Sequence, residues 1–355
     1  MIRFIFPALL ALAGLLRAEP IDLRLPTENQ HLFTGQFDLF YTYVDRNFEG
    51  QVSKPWEGGS YGFVRNAMRI NDGTNDQVIM TKFHEGIDIS PLKRDKAGNP
   101  LDMISSIAAG TVVHVSAVAG QSNYGKYVVV EHPWENSKVV SLYAHLSDIL
   151  VKKGDAVNAG TVLARMGFTG AGITRTRAHC HVELGMVMST RYEDWHKKNG
   201  GGVNHHGIYN GINITGSEVS RFFVEHKANP DLQFSQFITS TPAYFKVAVP
   251  AKGTPDFVTR YPWIIRGIAD GAKSWEISFT ATGLPVSFVP SQREVAAPAI
   301  ISIRPAKIPH RYLTRGLVSG DGNRATLGDS GKKLVSLLTD DFPAAPPQPS
   351  VPSHQ

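Results

Sequence analysis

Three separated stretches carry side chains that could share a chemistry. In "TRAHCHVELGM", His179 and His181 flank Cys180, the one cysteine of the chain. In an extended segment successive side chains point to opposite faces, so the two imidazoles share a face and the thiol takes the other. Cys180 is therefore a poor joint ligand and reads as a small buried apolar residue. Far upstream, "KFHEGIDIS" puts His84, Gly86 and Asp88 on one face if it is extended, and Gly86 leaves open space between imidazole and carboxylate that a metal could occupy. A helix would also align His84 with Asp88, but Gly86 and the β-branched Ile87 and Ile89 disfavour one. The third stretch, "SLYAHLSDIL", ends an apolar run with His145. Taken singly, each has a plain reading: two structural histidines on a strand, a surface ion pair, a hydrogen-bonded strand histidine.

Together they make a set. Zinc in catalytic sites takes three protein ligands from His, Asp and Glu and keeps a fourth position for water. One His, one Asp and one imidazole of the H-x-H pair supply those ligands, leaving His145 and the other imidazole for proton work. Two His and one Asp also suit manganese or iron.

These residues need a rigid frame. From Phe83 to Met188 the runs "GTVVHVSAV", "KYVVVEH", "VVSLYAHL" and "HCHVELGMV" are short, rich in β-branched residues and punctuated by Gly, Asn, Pro or Asp, the pattern of antiparallel strands with no helical period. Residues 19–80 read as strands and loops packing on this region. "GGGVNHHGIYNGINITG" is a loop by composition, and "SEVSRFFVEHK" predicts an amphipathic helix near 217–227. Over 240–340, "YFKVAVP", "WEISFTATG" and "AIISIRP" predict strands and "GKKLVSLL" a helix, giving a separate small C-terminal α+β domain. Residues 341–355, rich in proline, read as an extended disordered tail. No internal repeat is present.

A chain of 355 residues exceeds what one core usually organises, so at least two domains are expected. Charged residues at 19% and apolar ones at 42% fit a folded rather than a disordered protein. Residues 1–18, "MIRFIFPALLALAGLLRA", have an early Arg, an apolar run and a small residue before Glu19, and read as a signal peptide. The expectation is a secreted or periplasmic protein with no membrane anchor after cleavage, since the run is short for a span and Cys180 is misplaced for lipidation. One cysteine cannot form an internal disulfide, so stability must come from core burial. The formal charge is +5; removing Arg3 and Arg17 leaves 34 basic against 31 acidic residues, a net +3. With no basic run or aromatic-interleaved patch, no nucleic-acid partner is expected.

The ordered motifs His84-Glu85-Gly86-Ile87-Asp88, Tyr143-Ala144-His145-Leu146 and His179-Cys180-His181 resemble the H-x-G-x-D, Y-x-H-L and H-x-H of the M23 family, the lysostaphin/LytM-type zinc metallo-endopeptidases. Connecting phrases such as "YGKYVVVEH" and "VKKGDAVNAGTVLARMGFTG" are similar too, over roughly residues 80–188. The resemblance implies a mainly β fold, the antiparallel core of lysostaphin-type peptidases (duplicated hybrid motif-like), with the peptidase domain over 81–230. It implies that one Zn²⁺ is bound by His84, Asp88 and His181, with His145 and His179 as catalytic residues. The cation would acidify its bound water and polarise the scissile carbonyl. His179 would take the water proton and pass it to the leaving amine, while His145 would orient the water or stabilise the oxyanion. The implied function is a secreted endopeptidase cutting peptidoglycan cross-links or stem peptides. A catalytically silent wall-binding or amidase-activating relative is the alternative, although such relatives generally lose ligands and none is missing here. A third reading, a peptidase for other proteins, shares the site. Where the family usually has Gly-Pro before H-x-H, this chain has Arg177-Ala178, and "GAGITRTRA" is longer than usual, which bears on substrate fit.

Other residues carry weaker readings. Glu183 and Tyr143 could support the histidines or be structural. His205-His206 could be accessory ligands or solvated loop residues. "WEGGSYGFVRN" could wall the cleft, with Asn66 reaching the water position in a latent form. "GDAVNAG" resembles the turns of biotinyl and lipoyl carriers, but Lys152-Lys153 precede the turn where a modified lysine would be needed.

Overall fold

The computed structural model describes residues 19–42, 47–52 and 58–344. Residues 1–18, read as a signal peptide, and 345–355 of the tail lie outside the described residues. The fold is mainly antiparallel β. A hairpin, β1 (Gly62–Asn71) and β2 (Asp76–His84), leads into β3 (Ile87–Ile89). The main sheet then uses β4 (Met103–Ser105), β5 (Gly110–Ser116), β6 (Lys126–His132), β7 (Val139–Ile149), β8 (Val162–Met166), β9 (Cys180–Val187) and β10 (Ile214–Gly216). Its order is β5-β6-β7-β8-β4, with Ala156–Val157 on the outer edge of β5. β9 branches from this path, pairing with β7, β3 and β10.

Strand alternation divides the side chains between two cores. Val128 and Val130 of β6, Tyr143 of β7, and Cys180, Val182 and Leu184 of β9 enter the larger cluster. Tyr127, Val129, Leu142 and Ala144 enter a smaller cluster on the other face, covered by Ile214 and by Ile208 and Tyr209 of the preceding loop. Cys180 thus has the buried apolar place expected of it. β7 is the hinge of the sheet. Its first half pairs with β9 as far as Ala144 opposite His181, and its second half pairs with β8 from Leu146 opposite Met166.

Helix α1 (Tyr192–Asn199) follows β9, and α2 (Val219–Ala228) lies where its apolar spacing predicts a helix. The stretch 200–216, a loop by composition, also contains the short β10. After α3 (Phe234–Ser240) comes a second antiparallel sheet of β11 (Phe245–Pro250), β12 (Ser274–Phe279), β13 (Pro285–Ser291) and β14 (Ala299–Ile303), in the order β13-β12-β11-β14, and then α4 (Asp329–Leu338). This sheet shares the larger apolar cluster with the main one: Phe222 of α2, Phe234 and Phe237 of α3, and Val247, Ile277 and Phe288 all belong to it. Polar contacts reinforce the junction. The Val187 N–H donates to Tyr261 Oη at 2.8 Å, and Tyr261 donates in turn to the Lys138 carbonyl at 2.9 Å.

His132, fully buried at the end of β6, stacks on Trp134, bonds the Ala109 carbonyl through Nδ1 and lies 2.8 Å from Ser141 Oγ through Nε2. Burial holds its pKa down to about 4 despite the Ala109 carbonyl, which acts the other way. Between pH 6.5 and 4 the unfolded chain therefore takes a proton that the folded chain refuses. Stability is retained above this window and falls as pH drops through it, by about 3 kcal/mol in total from this group. Urea melts between pH 7 and 4 should show a smaller pH dependence for His132→Gln than for the natural chain; equal slopes would remove His132 as a cause.

Candidate metal centre and its cleft

His84 ends β2, the chain bends at Glu85-Gly86, and β3 delivers Asp88. Register then does the assembly: β3 lies on β9 with Asp88 opposite His181, so the carboxylate and imidazole emerge from one face. Gly86 serves this approach differently from the sequence expectation. A Cβ there would lie 2.2 Å from the Val182 carbonyl oxygen and 2.9 Å from Glu183 Cγ, so the glycine permits backbone contact rather than making room between ligands. His179 precedes β9, bridged to Gly167. His145 stands where β7 passes from β9 to β8, with a left-handed φ of 61°. Regular alternation would put it on the Tyr143 face. The kink turns it the other way, so that its ring packs 4.7 Å from that of His179 and 5.9 Å from that of His181.

All five residues named from the sequence meet. His181 Nδ1 lies 2.9 Å from Asp88 Oδ1 and 3.0 Å from His84 Nε2, and His84 Nε2 lies 3.1 Å from Asp88 Oδ1. His179 Nε2 is 3.3 Å from the same oxygen. Among the described residues, His84, Asp88 and His181 are the one His/Cys/Asp/Glu cluster whose donor atoms converge closely enough for a metal ion. Outward-facing atoms are held by others. His84 Nδ1 donates to the Ser60 carbonyl at 2.8 Å, and His181 Nε2 donates to Glu183 Oε1 at 3.0 Å. Tyr124 donates to that same Glu183 oxygen at 2.5 Å.

These partners assign the tautomers. With Nδ1–H of His84 and Nε2–H of His181 committed outward, the inward atoms are lone pairs, and a carboxylate oxygen joins them. Three electron-pair donors about 3 Å apart repel one another unless a positive charge lies between them. A divalent cation fits that requirement, and the set of two imidazoles and one carboxylate suits zinc. Without a metal a proton must serve. Burial pulls the His181 pKa down, but the Asp88 and Glu183 carboxylates outweigh it and raise it to about 10. Burial likewise opposes the ionised form of Asp88, yet the facing His179 and His84 rings hold it well below the usual range. His145, buried beside His179 and His181, is held down to about 3.

The sequence reading missed Arg65, Ser60 and Tyr124. Arg65 Nη2 contacts Asp88 Oδ2 at 2.6 Å. Its segment "WEGGSYGFVRN" suggests a cleft wall, but nothing local marks a strand arginine as the partner of a distant carboxylate. Tyr124 opens "YGKYVVVEH", one of the phrases similar to the M23 family, and that likeness is the signal that marks it. Of the two residues read either way, Glu183 touches His181, whereas Tyr143 points into the core and its oxygen accepts the Ile107 N–H. His206 is buried and donates to the Gln121 carbonyl at 3.1 Å, outside the donor cluster, and His205 is exposed.

A cleft of about 1200 Å³ runs beside this centre. Its lining includes Glu85, Tyr124 and Gly170 from the main-sheet part and Thr282, Arg315 and Leu334 from the C-terminal part. Arg315 spans it, pairing with Glu85 at 3.2 Å and lying over the Phe83 ring.

The model of peptidase family M23 matches residues 82–193. "Lipoprotein NlpD" of Yersinia enterocolitica is 31% identical over 98 residues, which is 28% of this chain and 96% of that protein. The chain belongs to peptidase family M23. "Murein hydrolase activator NlpD" of Escherichia coli (strain K12) is 33% identical over 138 residues, 39% of this chain and 31% of that protein. The chain spans under a third of the length of the first curated relatives it matches. The catalytic domain of lysostaphin from Staphylococcus simulans is 20% identical with a TM-score of 0.28, covering 48% of this chain and 96% of that one. The M23 match contains all five clustered residues, while Ser60 and Arg65 lie upstream of it.

Gly86→Ala should force β3 off β9, lowering stability by about 2 kcal/mol and parting Asp88 from His181. The variant is expected to melt earlier and to bind zinc at least tenfold more weakly in a chelator competition. Unchanged zinc affinity would contradict this account of the close approach.

Proposed function

We propose that this M23 chain is a zinc-dependent endopeptidase of the bacterial cell envelope that hydrolyses peptide cross-links or stem peptides of peptidoglycan. The observation that carries the reading is the convergence of His84 Nε2, Asp88 Oδ1 and His181 Nδ1 from two distant segments onto one point, with two further buried imidazoles beside it. His84, Asp88 and His181 would hold the metal. When bound, the ion supplies a Lewis acid for the scissile carbonyl and for the attacking water.

The chain's own residues supply the proton chemistry. His179 Nδ1 donates to the Arg177 carbonyl at 2.7 Å, leaving Nε2 as the inward base that takes the water proton and returns it to the leaving amine. His145 Nδ1 donates to the Thr169 carbonyl at 2.8 Å. Its Nε2, kept unprotonated by burial, accepts a hydrogen bond from the water and so orients it; that state favours water orientation over the oxyanion role. Arg177 and Ala178, where the family usually has Gly-Pro, act here through the Arg177 backbone carbonyl. The cleft beside the centre offers a peptide strand a bed between the two sheets, and the C-terminal part would contribute to substrate fit.

The relatives' names support the envelope and wall assignment. They also favour a second reading, since the Escherichia coli relative is named a murein hydrolase activator: a protein that uses the same groove to dock a wall amidase without cutting bonds. Among the described residues no helix is long and apolar enough to cross a membrane.

The purified chain should carry about one zinc per molecule and release new amino groups from peptidoglycan, an activity abolished by chelation and restored by zinc. His179→Ala and His145→Ala should each lower the rate by about a hundredfold or more while retaining the metal. A metal-free protein that releases nothing alone, yet accelerates an added amidase, would transfer the assignment to the activator reading.

A further inference from the structure

We propose that Arg65, which lies upstream of the M23 match, is a positioning residue that commits Asp88 to the metal through one oxygen; this rests on the reading of His84, Asp88 and His181 as ligands. The two carboxylate oxygens of Asp88 face different surroundings. Oδ1 looks at the three histidines at 2.9, 3.1 and 3.3 Å. Oδ2 is taken by Arg65 Nη2 at 2.6 Å, a charge-assisted bond between largely buried partners. The guanidinium is anchored as well, because Nε donates to the Gly58 carbonyl at 2.9 Å. Arg65 therefore holds Oδ2 while Oδ1 is the oxygen that contacts the histidines, which makes it a partner of the ligand.

The hairpin is shaped to deliver this contact. Pairing of β1 with β2 slips between Phe63 and Arg65, leaving Val64 as an extra residue, and Asn66 follows with a left-handed φ of 57°. A bulge of this kind re-aims the side chains after it. Phe63 remains against Phe83, whereas Arg65 turns to Asp88. The same upstream segment supplies the Ser60 carbonyl that orients His84, so two of the three ligands are set by residues outside the matched domain. A carboxylate with both oxygens free can bind a cation through either or both; with Oδ2 committed, only Oδ1 is offered. Hydrogen-bond partners of metal ligands are typically worth 10–100-fold in metal affinity. Lysine keeps the charge but lacks the fork that grips Asp88 and Gly58 together.

The test uses the full chain stripped of metal, titrated with zinc against a chromogenic chelator and separately with cobalt(II), whose visible absorption reports coordination number. Arg65→Met should bind zinc about 10–100-fold more weakly and give a weaker cobalt band as Asp88 becomes free to bind through both oxygens. Arg65→Lys should fall between Met and the natural residue in both measurements. Circular dichroism checks folding; if Arg65→Met does not fold, Arg65→Lys carries the test, with a weaker affinity and altered cobalt band still expected. Unchanged or tighter zinc binding with an unchanged cobalt spectrum overturns the role of Arg65. Failure of the natural chain to bind zinc overturns the ligand reading itself, and with it this proposal.

Discussion

Two imidazole lone pairs and a carboxylate oxygen face one another across about 3 Å in a largely buried region, and such an arrangement holds only around a positive charge. Much of the surrounding structure enforces it. Ser60 and Glu183 accept the outward N–H groups of His84 and His181, and Arg65 occupies the outward oxygen of Asp88. Each outward bond removes an alternative orientation, so the inward donors have nowhere else to point. Asp88 and Glu183 bring negative charge into the interior, and burying it unpaired would be costly. Arg65 offsets part of it, and the ion or proton at the centre the remainder.

The sheet meets the same constraint through its topology. Along one edge β7 pairs with β6; along the other it serves two partners in turn, and the changeover from β9 to β8 falls at His145. A left-handed non-glycine residue costs about 1–2 kcal/mol, and here it is held by the bond from its backbone N–H to the Tyr124 carbonyl and from its ring to the Thr169 carbonyl. Local strain of this sort persists where the surroundings over-determine it. Its effect is to move one imidazole from the core face to the face where the other four groups already stand. Gly170 allows the close packing there, since a Cβ would lie 2.4 Å from the Asn123 carbonyl oxygen and 3.0 Å from His145 Nδ1.

The second sheet matters to the site through rigidity and shape. Phenylalanines of α2 and α3 join its core to that of the main sheet. The cleft residues Thr282, Arg315 and Leu334 thus belong to a part whose core is continuous with that of the sheet carrying the five clustered residues. Tyr61 adds a tie between the parts, its hydroxyl lying 3.2 Å from Thr282 Oγ1.

By itself the sequence determined the strand-rich frame, a helix near 217–227 and another on "GKKLVSLL" (observed at 219–228 and 329–338), the opposed faces of Cys180 and its flanking histidines, and the five residues that gather at the centre. Those features are local: period-two alternation, turn residues and side-chain types at short spacing. Only the tertiary structure decided that Gly86 is needed for a backbone approach to β9, that His145 reaches the centre through a kink, that Tyr143 faces the core, and that Arg65 and Tyr124 complete the polar surroundings. The physical reason is that strand register, a bulge and a branch in the sheet are set by pairing between distant segments. They decide which way a side chain points, and no spacing within a single stretch encodes them.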